Sequence, residues 1–537
     1  MNGSEGILDY LLIHSPALIV AIPLLGAFLT PLFGKIHNRI RNSFVIIIVI
    51  LTSFFAFLLA QDVLVNGNMH TYVFGGGSAL TEGGFAIRIL FQVDGLNAFI
   101  VIIAILLAIV GVIYSWSFMK EHTGLDKYYT LYLLMIAGVF GMVLTGDMFN
   151  FFVFLEITSI ASCALIAFYT NKGKAVDAGF KYIVISATGA LFILFAVAIL
   201  YGQYNALNIA VLADKIQFTF LDRIALVLLI SGLAMKAGIV PMHMWLPDAY
   251  GRAPSSVTLF LIVATQAGLY GALRMIFTLF GGHLSTTLRG VGEVDINLNL
   301  LIGAILVGLA ILTILIGVLM ALKESDFKRI IGFAAVAEIG YMILAIGAAL
   351  TIMFSDADLA TRTLAFKGGI FHIFNDALDI GLLFLVAGAI YYATKETSLN
   401  KLGGLARNMK YTTVFFLIGL LAVAGMPPMN GFASKIIIYE STFLINPILS
   451  IIAILASILL LAVFVKVFFS AFLGPKLPKY EKVREVPKSM LLAMGIIAAI
   501  IVFIGLFPDI FINNVVEPAA RALTDSSKYV DFIVGVI

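Results

Sequence analysis

Two lysines in apolar surroundings carry the most specific chemistry available to this chain. Lys236 stands in Met235-Lys236-Ala237-Gly238-Ile239-Val240-Pro241-Met242. Lys435 closes Ala424-Gly425-Met426-Pro427-Pro428-Met429-Asn430-Gly431-Phe432-Ala433-Ser434-Lys435. Both segments share Ala-Gly-x-x-Pro-Met inside a hydrophobic run, so Gly238 and Pro241 break the first helix and Gly425, Pro427 and Pro428 the second. Paired Gly/Pro interruptions in corresponding parts of a membrane chain point to a transport site. A lysine at bilayer depth costs roughly 2.5–3.5 kcal/mol on insertion scales, so it is seldom kept without a use. Such a pair predicts ion translocation.

Acids and histidines accompany the lysines. Glu156 lies inside Phe149-Asn150-Phe151-Phe152-Val153-Phe154-Leu155-Glu156. One reading is a protonated carboxyl bonded to a neighbouring helix; the functional one is a partner for Lys236. At an effective dielectric of 20, unit charges about 4 Å apart interact by roughly 4 kcal/mol, enough to bias the loading of a proton on the lysine. His243 lies between Pro241 and Pro247, two prolines six apart that interrupt a helix. It could pass a proton from Lys236 or hold a freed carbonyl. His372, Asp376 and Asp379 follow i, i+4, i+7 and share one helix stripe. Ligands on a single straight helix rarely close a metal's coordination sphere, so a hydrated proton or cation path is favoured over a metal site. Glu338 is a further mid-span acid and Lys466 a mid-span base. Lys181 and Lys367, at helix mouths, fit snorkelling. Together these charges predict a connected polar axis through the interior.

The elements that must position them are transmembrane helices. The 537 residues are 61% hydrophobic and 12% charged, half the charge of a soluble domain, which makes this an all-α polytopic membrane protein. Bilayer-length runs fall near 10–33, 43–65, 96–118, 128–147, 149–170, 179–203, 222–246, 254–280, 297–321, 329–353, 361–393, 410–440, 446–473 and 488–510. That predicts about fourteen spans. Basic residues gather in the loops after odd-numbered spans, among them Lys35, Arg41, Lys120, Lys172, Arg252, Lys328 and Lys401. The positive-inside rule then sets both termini on the outer face of a cell membrane. The glycine-rich loop from Asn66 to Gly95 reads as a hairpin turning at Gly83-Gly84 or Gly75-Gly76-Gly77; without a following Gly-Lys-Ser/Thr it is no phosphate loop. The tail after Pro508 is amphipathic and is placed at the outer surface.

Composition also sets limits. A net charge of +3 gives no case for nucleic acid. A single cysteine, Cys163, excludes disulfides, thiolate metal sites and iron–sulfur clusters. No basic n-region marks a cleavable signal peptide, and the expectation is that this chain holds no cofactor.

Leu144-Thr145-Gly146-Asp147-Met148-Phe149-Asn150 through Glu156-Ile157-Thr158-Ser159 resembles the proton-conducting antiporter-like family. So do Lys236-Ala237-Gly238 with Pro241, His243, Trp245-Leu246-Pro247-Asp248-Ala249 and Ala253-Pro254, and the downstream Gly425 to Lys435 segment. That family includes the D subunit of Mrp-type Na+/H+ antiporters, the antiporter-like subunits of respiratory complex I and their counterparts in membrane-bound [NiFe] hydrogenases. The resemblance covers nearly the whole chain and implies fourteen helices with broken helices 7 and 12. It divides the chain into helices 1–3 with the outer hairpin (1–127), an inverted repeat of helices 4–8 (128–280), a second of helices 9–13 (297–473), and helix 14 with the tail (474–537). Glu156, Lys236 and Lys435 then occupy the family's helix-5 glutamate, helix-7 lysine and helix-12 lysine.

Four positions depart from the family pattern. Gln266 stands where many members have a helix-8 lysine, Tyr250 replaces a histidine after Pro-Asp-Ala, and in helix 11 Asp376 replaces a histidine and Ile380 a lysine. The expectation is an ion-translocating subunit of a multi-subunit membrane complex, moving H+ with or without coupled Na+. Glu156 tunes Lys236, Lys435 is the exit-side lysine, and Glu338, His372, Asp376 and Asp379 line the connection. The alternative is a non-conducting structural subunit that docks a redox module. A quinone-binding subunit is the weakest reading, since no headgroup site stands out.

Overall fold

A backbone in hydrocarbon can satisfy its polar groups only within a helix or a closed barrel, so apolar runs of bilayer length fold as helices. The computed structural model describes residues 6–74, 89–289, 295–354, 359–475 and 477–534. In chain order the elements are α1 (Ile7–Ile36), α2 (Asn38–Gln61), β1 (His70–Val73), β2 (Leu90–Val93), α3 (Gly95–Phe118), α4 (Leu125–Leu144), α5 (Met148–Ile166), α6 (Gly173–Tyr204), α7 (Ile209–Lys215) and α8 (Phe220–Ala237). There follow α9 (Trp245–Arg252), α10 (Ser255–Arg274), β3 (Thr287–Arg289), β4 (Asp295–Asn297), α11 (Leu298–Lys323), α12 (Phe327–Thr351) and α13 (Leu359–Thr394). The last are α14 (Lys410–Val423), α15 (Asn430–Ile445), α16 (Pro447–Val467), α17 (Lys488–Leu506), α18 (Pro508–Phe511), α19 (Glu517–Thr524) and α20 (Ser526–Val534).

Twelve helices among the described residues are long and apolar enough to cross a membrane. The runs at 222–246 and 410–440 are instead split, the first into α8 and α9 and the second into α14 and α15. Both breaks hold a glycine with positive φ, Gly238 at +72° and Gly425 at +69°. A Cβ would be strained there and would lie 2.6 Å from Leu246 Cδ1 at position 238 and 2.9 Å from Lys435 Cδ at 425. Pro241 and Pro428 follow cis bonds within these breaks. Pro247 does not interrupt a helix as the sequence suggested. It sits in the first turn of α9, where its missing N–H is one that has no partner anyway.

Burial sorts the bundle into centre and rim. The most apolar stretches of α12 and α13 are wholly buried, whereas about a third of that in α1 is (33%). Helices α3, α10, α12, α13 and α15 pack around the centre, so the acids and bases on them face protein rather than lipid. Helix starts are fastened by side-chain caps: Asp94 on α3, Asp147 on α5, Thr219 on α8 and Asp326 on α12.

The loop between Asn66 and Gly95 carries the expected strand pairing, with β1 and β2 antiparallel and His70 opposite Val93; both candidate turns lie outside the described residues. A second hairpin, β3–β4, pairs Leu288 with Ile296. Its three-residue strands are too short to show a period-2 pattern in the sequence. The C-terminal segment is amphipathic as expected: Val516, Ala519, Leu523, Tyr529 and Ile533 are buried against the bundle.

Candidate ion-translocation site

The first centre is built by α5, α6 and α8. Lys236 Nζ donates to Ser159 Oγ at 2.6 Å and also to Ser186 Oγ. The two hydroxyls are themselves joined at 3.1 Å. Lys236 is half-buried and borders a narrow cavity with Tyr182, Trp245 and Thr265, with room for about one or two waters. The expected direct pair with Glu156 is not formed: no ion pair joins them within 4 Å, and Glu156 Oε1 is buried without a hydrogen-bond partner among the described residues. Ser159, three residues on and on the same face of α5, takes the ammonium instead.

At the first break the freed helix end is held by neutral donors. Trp245 Nε1 donates to Met235 O at 2.9 Å, and Val240 N donates to Thr313 Oγ1 of α11 at 3.2 Å. His243 lies in this turn, half-buried, with Nδ1 unpartnered among the described residues, and it does not border the Lys236 cavity.

The second centre is an ion-pair cluster on α12, α13 and α15. Lys435 Nζ lies 2.8 Å from Glu338 Oε1, and His372 Nε2 lies 2.8 Å from Glu338 Oε2. All three side chains are 2% exposed or less. Lys435 Nζ also donates to Val423 O, the end of α14, at 2.7 Å, and sits 4.4 Å above the Tyr341 ring. His372 Nδ1 is 3.0 Å from Ser434 Oγ. Removing one partner from such a buried pair is worth about 3–5 kcal/mol, because the remaining charge has no water to solvate it.

Between the centres runs a buried polar line. Gln266 Nε2 donates to Asp376 Oδ2 at 3.1 Å and to Ile373 O at 2.8 Å. Tyr250 OH lies 2.7 Å from Thr265 Oγ1, which borders the Lys236 cavity. Asn375 and Asn430 bond reciprocally and tie α13 to the start of α15. Four buried oxygens here have no hydrogen-bond partner among the described residues: Gln266 Oε1, Asp376 Oδ1, Asp379 Oδ1 and Asn430 Oδ1. Each such atom costs about 1–3 kcal/mol unless water, a proton or a cation meets it. Ile380 is fully buried in apolar packing.

Three lysines stand elsewhere than on the polar line. Lys466 is exposed, with Nζ donating to Leu322 O at 2.9 Å and Glu324 O at 3.0 Å. It caps the carbonyl end of α11, a usual task for a lysine at a helix C-terminus, and is not the mid-span base that its place in the sequence suggested. Lys367 pairs with Glu517 of α19 rather than reaching for solvent. Lys181 pairs with Asp177 and Asp248 at 2.8 and 3.1 Å.

The sequence does not single out Ser159 and Ser186 as lysine partners, nor the bidentate pair of Arg274 with Asp94 at 2.7 and 2.8 Å. Arg274 near the end of an apolar run is the available signal for the latter. Among the described residues no group of three or more histidine, cysteine or acidic side chains is placed to hold a metal ion.

Two broken helices, each beside a lysine, with buried polar side chains between them inside a helical bundle, define a polytopic membrane protein of antiporter-like architecture. The chain belongs to the family described as NADH:quinone oxidoreductase/Mrp antiporter, transmembrane, whose model matches residues 145–461. It is 30% identical to the D subunit of the Na(+)/H(+) antiporter of Alkalihalophilus pseudofirmus over 96% of this chain and 99% of that one. It is 29% identical to the N subunit of the NADH-quinone oxidoreductase of Desulforudis audaxviator, over 94% and 98%. A solved structure of the membrane-bound sulfane sulfur reductase, an archaeal respiratory membrane complex, contains a chain that superposes with a TM-score of 0.82 at 28% identity, covering 96% of this chain and 99% of that one.

Proposed function

We infer that the chain is the ion-translocating, antiporter-like subunit of a multi-subunit energy-converting membrane complex, moving H+ with or without coupled Na+. The observation that carries this reading is the buried Lys435–Glu338–His372 cluster, with the Gln266–Asp376 bond and the Thr265-lined Lys236 cavity in the same interior. In it Lys236 is the first proton carrier, steadied by Ser159 and Ser186 and biased by the charge of Glu156 at longer range. His372, Asp376 and Asp379 form the connection, and Lys435 is the exit-side carrier, poised on Glu338. The two glycine-centred breaks support two inverted five-helix repeats, 128–280 and 297–473, with both termini outward by the distribution of basic loops. Electron chemistry, where it drives the pump, belongs to partner subunits.

Reconstituted into proteoliposomes with its partners, the native complex should move protons, and Lys236→Ala should abolish that flux while assembly persists. Unchanged flux would overturn the reading. The second reading, a structural subunit that docks a redox module without conducting, is favoured by Gln266 and Ile380, which leave no lysine on the central line. Gln266→Lys separates the two, because a chain that conducts nothing has no pumping to gain or lose. Purification from native membranes, with mass spectrometry of the associated chains and assay for iron and nickel, distinguishes a hydrogenase-like or other redox complex from an Mrp-type antiporter.

A further inference from the structure

At the end of the bundle where the basic loops gather, away from the polar line, α6, the α9–α10 joint and the start of α12 enclose an open cavity of about 290 Å³. That is at the lower edge of the usual range for a small-ligand site. Lys172, Lys174, Arg252 and Lys328 border it, and no carboxylate does among the described residues. Of these cations only Arg252 meets an acid, Asp326 at 2.9 Å. Lys172 bonds the Tyr391 hydroxyl and lies over the Tyr169 and Tyr391 rings, at 4.8 and 4.7 Å. Lys174 is exposed and has no ion-pair partner among the described residues. Lys328 is 6% exposed, and its ammonium donates to Ala253 O at 2.5 Å. One carbonyl satisfies one of its three N–H groups.

The cavity also receives the N-terminus of the 32-residue α6, which no side chain caps. The amides of Ala175 and Val176 donate to Lys172 O at 2.8 and 3.3 Å, which leaves those of Gly173 and Lys174 without an intrahelical acceptor, and a Cβ on Gly173 would meet nothing within 4 Å. A free helix start, three lysines without carboxylate partners and room for a ligand converge on one chemistry. We propose that this cavity binds a phosphoryl group, with the lysines meeting its charge and the first amides of α6 meeting its oxygens. The two sources of that group are the headgroup of an anionic phospholipid, for which basic pockets between membrane helices are suited, and soluble phosphate.

The test uses the purified protein with its partner subunits, stripped of native lipid. It is titrated with dioleoyl phosphatidylglycerol or dioleoyl phosphatidylcholine, read by native mass spectrometry, and separately with sodium phosphate, read by calorimetry. Lys172→Gln with Lys174→Gln changes only exposed lysines at the start of α6, and Lys328→Gln adds the buried one. Lys479→Gln with Lys482→Gln removes the same charge from another basic loop. The preference for phosphatidylglycerol should fall about fivefold per cavity lysine removed and stay unchanged in the control. Saturable phosphate binding lost in the cavity variants, without a lipid preference, would assign the site to soluble phosphate. Equal losses in cavity and control variants, no loss in either, or no binding by the unmodified protein would overturn the proposal.

Discussion

Lys435 and Glu338, 97 residues apart in the chain, meet at 2.8 Å with both side chains buried. Their pairing makes an asymmetric test possible. Glu338→Gln leaves the lysine's charge without its partner and should destabilise the protein by about 3–5 kcal/mol. Glu338→Leu combined with Lys435→Met removes both charges and should restore much of that loss while abolishing flux. Thermal unfolding in detergent compares the two; a double variant no more stable than Glu338→Gln alone would count against the pair.

Ser159 and Ser186 hold the Lys236 ammonium, and hydrogen bonds to charged groups are worth about 1.5–3 kcal/mol each. Ser159→Ala and Ser186→Ala should each slow proton flux by about tenfold without loss of assembled complex. Flux equal to that of the unmodified protein in both variants would remove the serines from the mechanism.

Lys466 offers the opposite expectation. Since it caps α11 and lies off the polar line, Lys466→Ala should leave flux within about twofold and lower stability by about 0.3–1 kcal/mol. A complete loss of transport would restore it to the translocation path.

Gly425→Ala introduces a Cβ at φ +69°, 2.9 Å from the Lys435 Cδ. The left-handed strain alone is of order 1–3 kcal/mol. Flux should fall more than stability does, because the clash falls on the lysine side chain itself; pumping measured beside melting temperature decides.

The C-terminal helices provide a pH dependence. Partial burial raises the Glu517 carboxyl, but Lys367 and Arg521 outweigh it and hold the group below its usual 4.5. A depressed acid contributes stability that is present above its unfolded value and lost as pH falls through the folded one. Amide protection factors in residues 517–534, which correct exchange for its intrinsic pH dependence, should therefore stay constant from neutrality to about pH 5 and fall below about pH 4.5. Glu517→Gln should show the faster exchange already at neutral pH.

What could be read from the chain divides along one physical line. Lys236, Lys435, Gly238 and Gly425 were legible because each violates the composition around it, and a violation inside hydrocarbon demands a reason. The helical architecture was legible for the same cause, since bilayer-length runs leave the backbone little choice. Which partner meets which charge was not. Glu338 reaches Lys435 across the bundle rather than along a helix, while Ser159 displaces Glu156 at Lys236 by a difference of three residues. Serines in membrane helices are too ordinary to stand out. Lys466 shows a further limit: position within an apolar run states depth, but not which way a side chain faces.

One nitrogen in this fold serves two structures at once. Lys435 Nζ holds the Glu338 carboxylate and also closes the last carbonyl of α14 at Val423. The corresponding break after α8 has no such link, because the neutral indole of Trp245 closes it whatever the charge on Lys236. On the proposed reading, any change at the Lys435–Glu338 contact would be felt directly by the end of a half-helix, whereas the closure of the first break by Trp245 is uncoupled from its lysine.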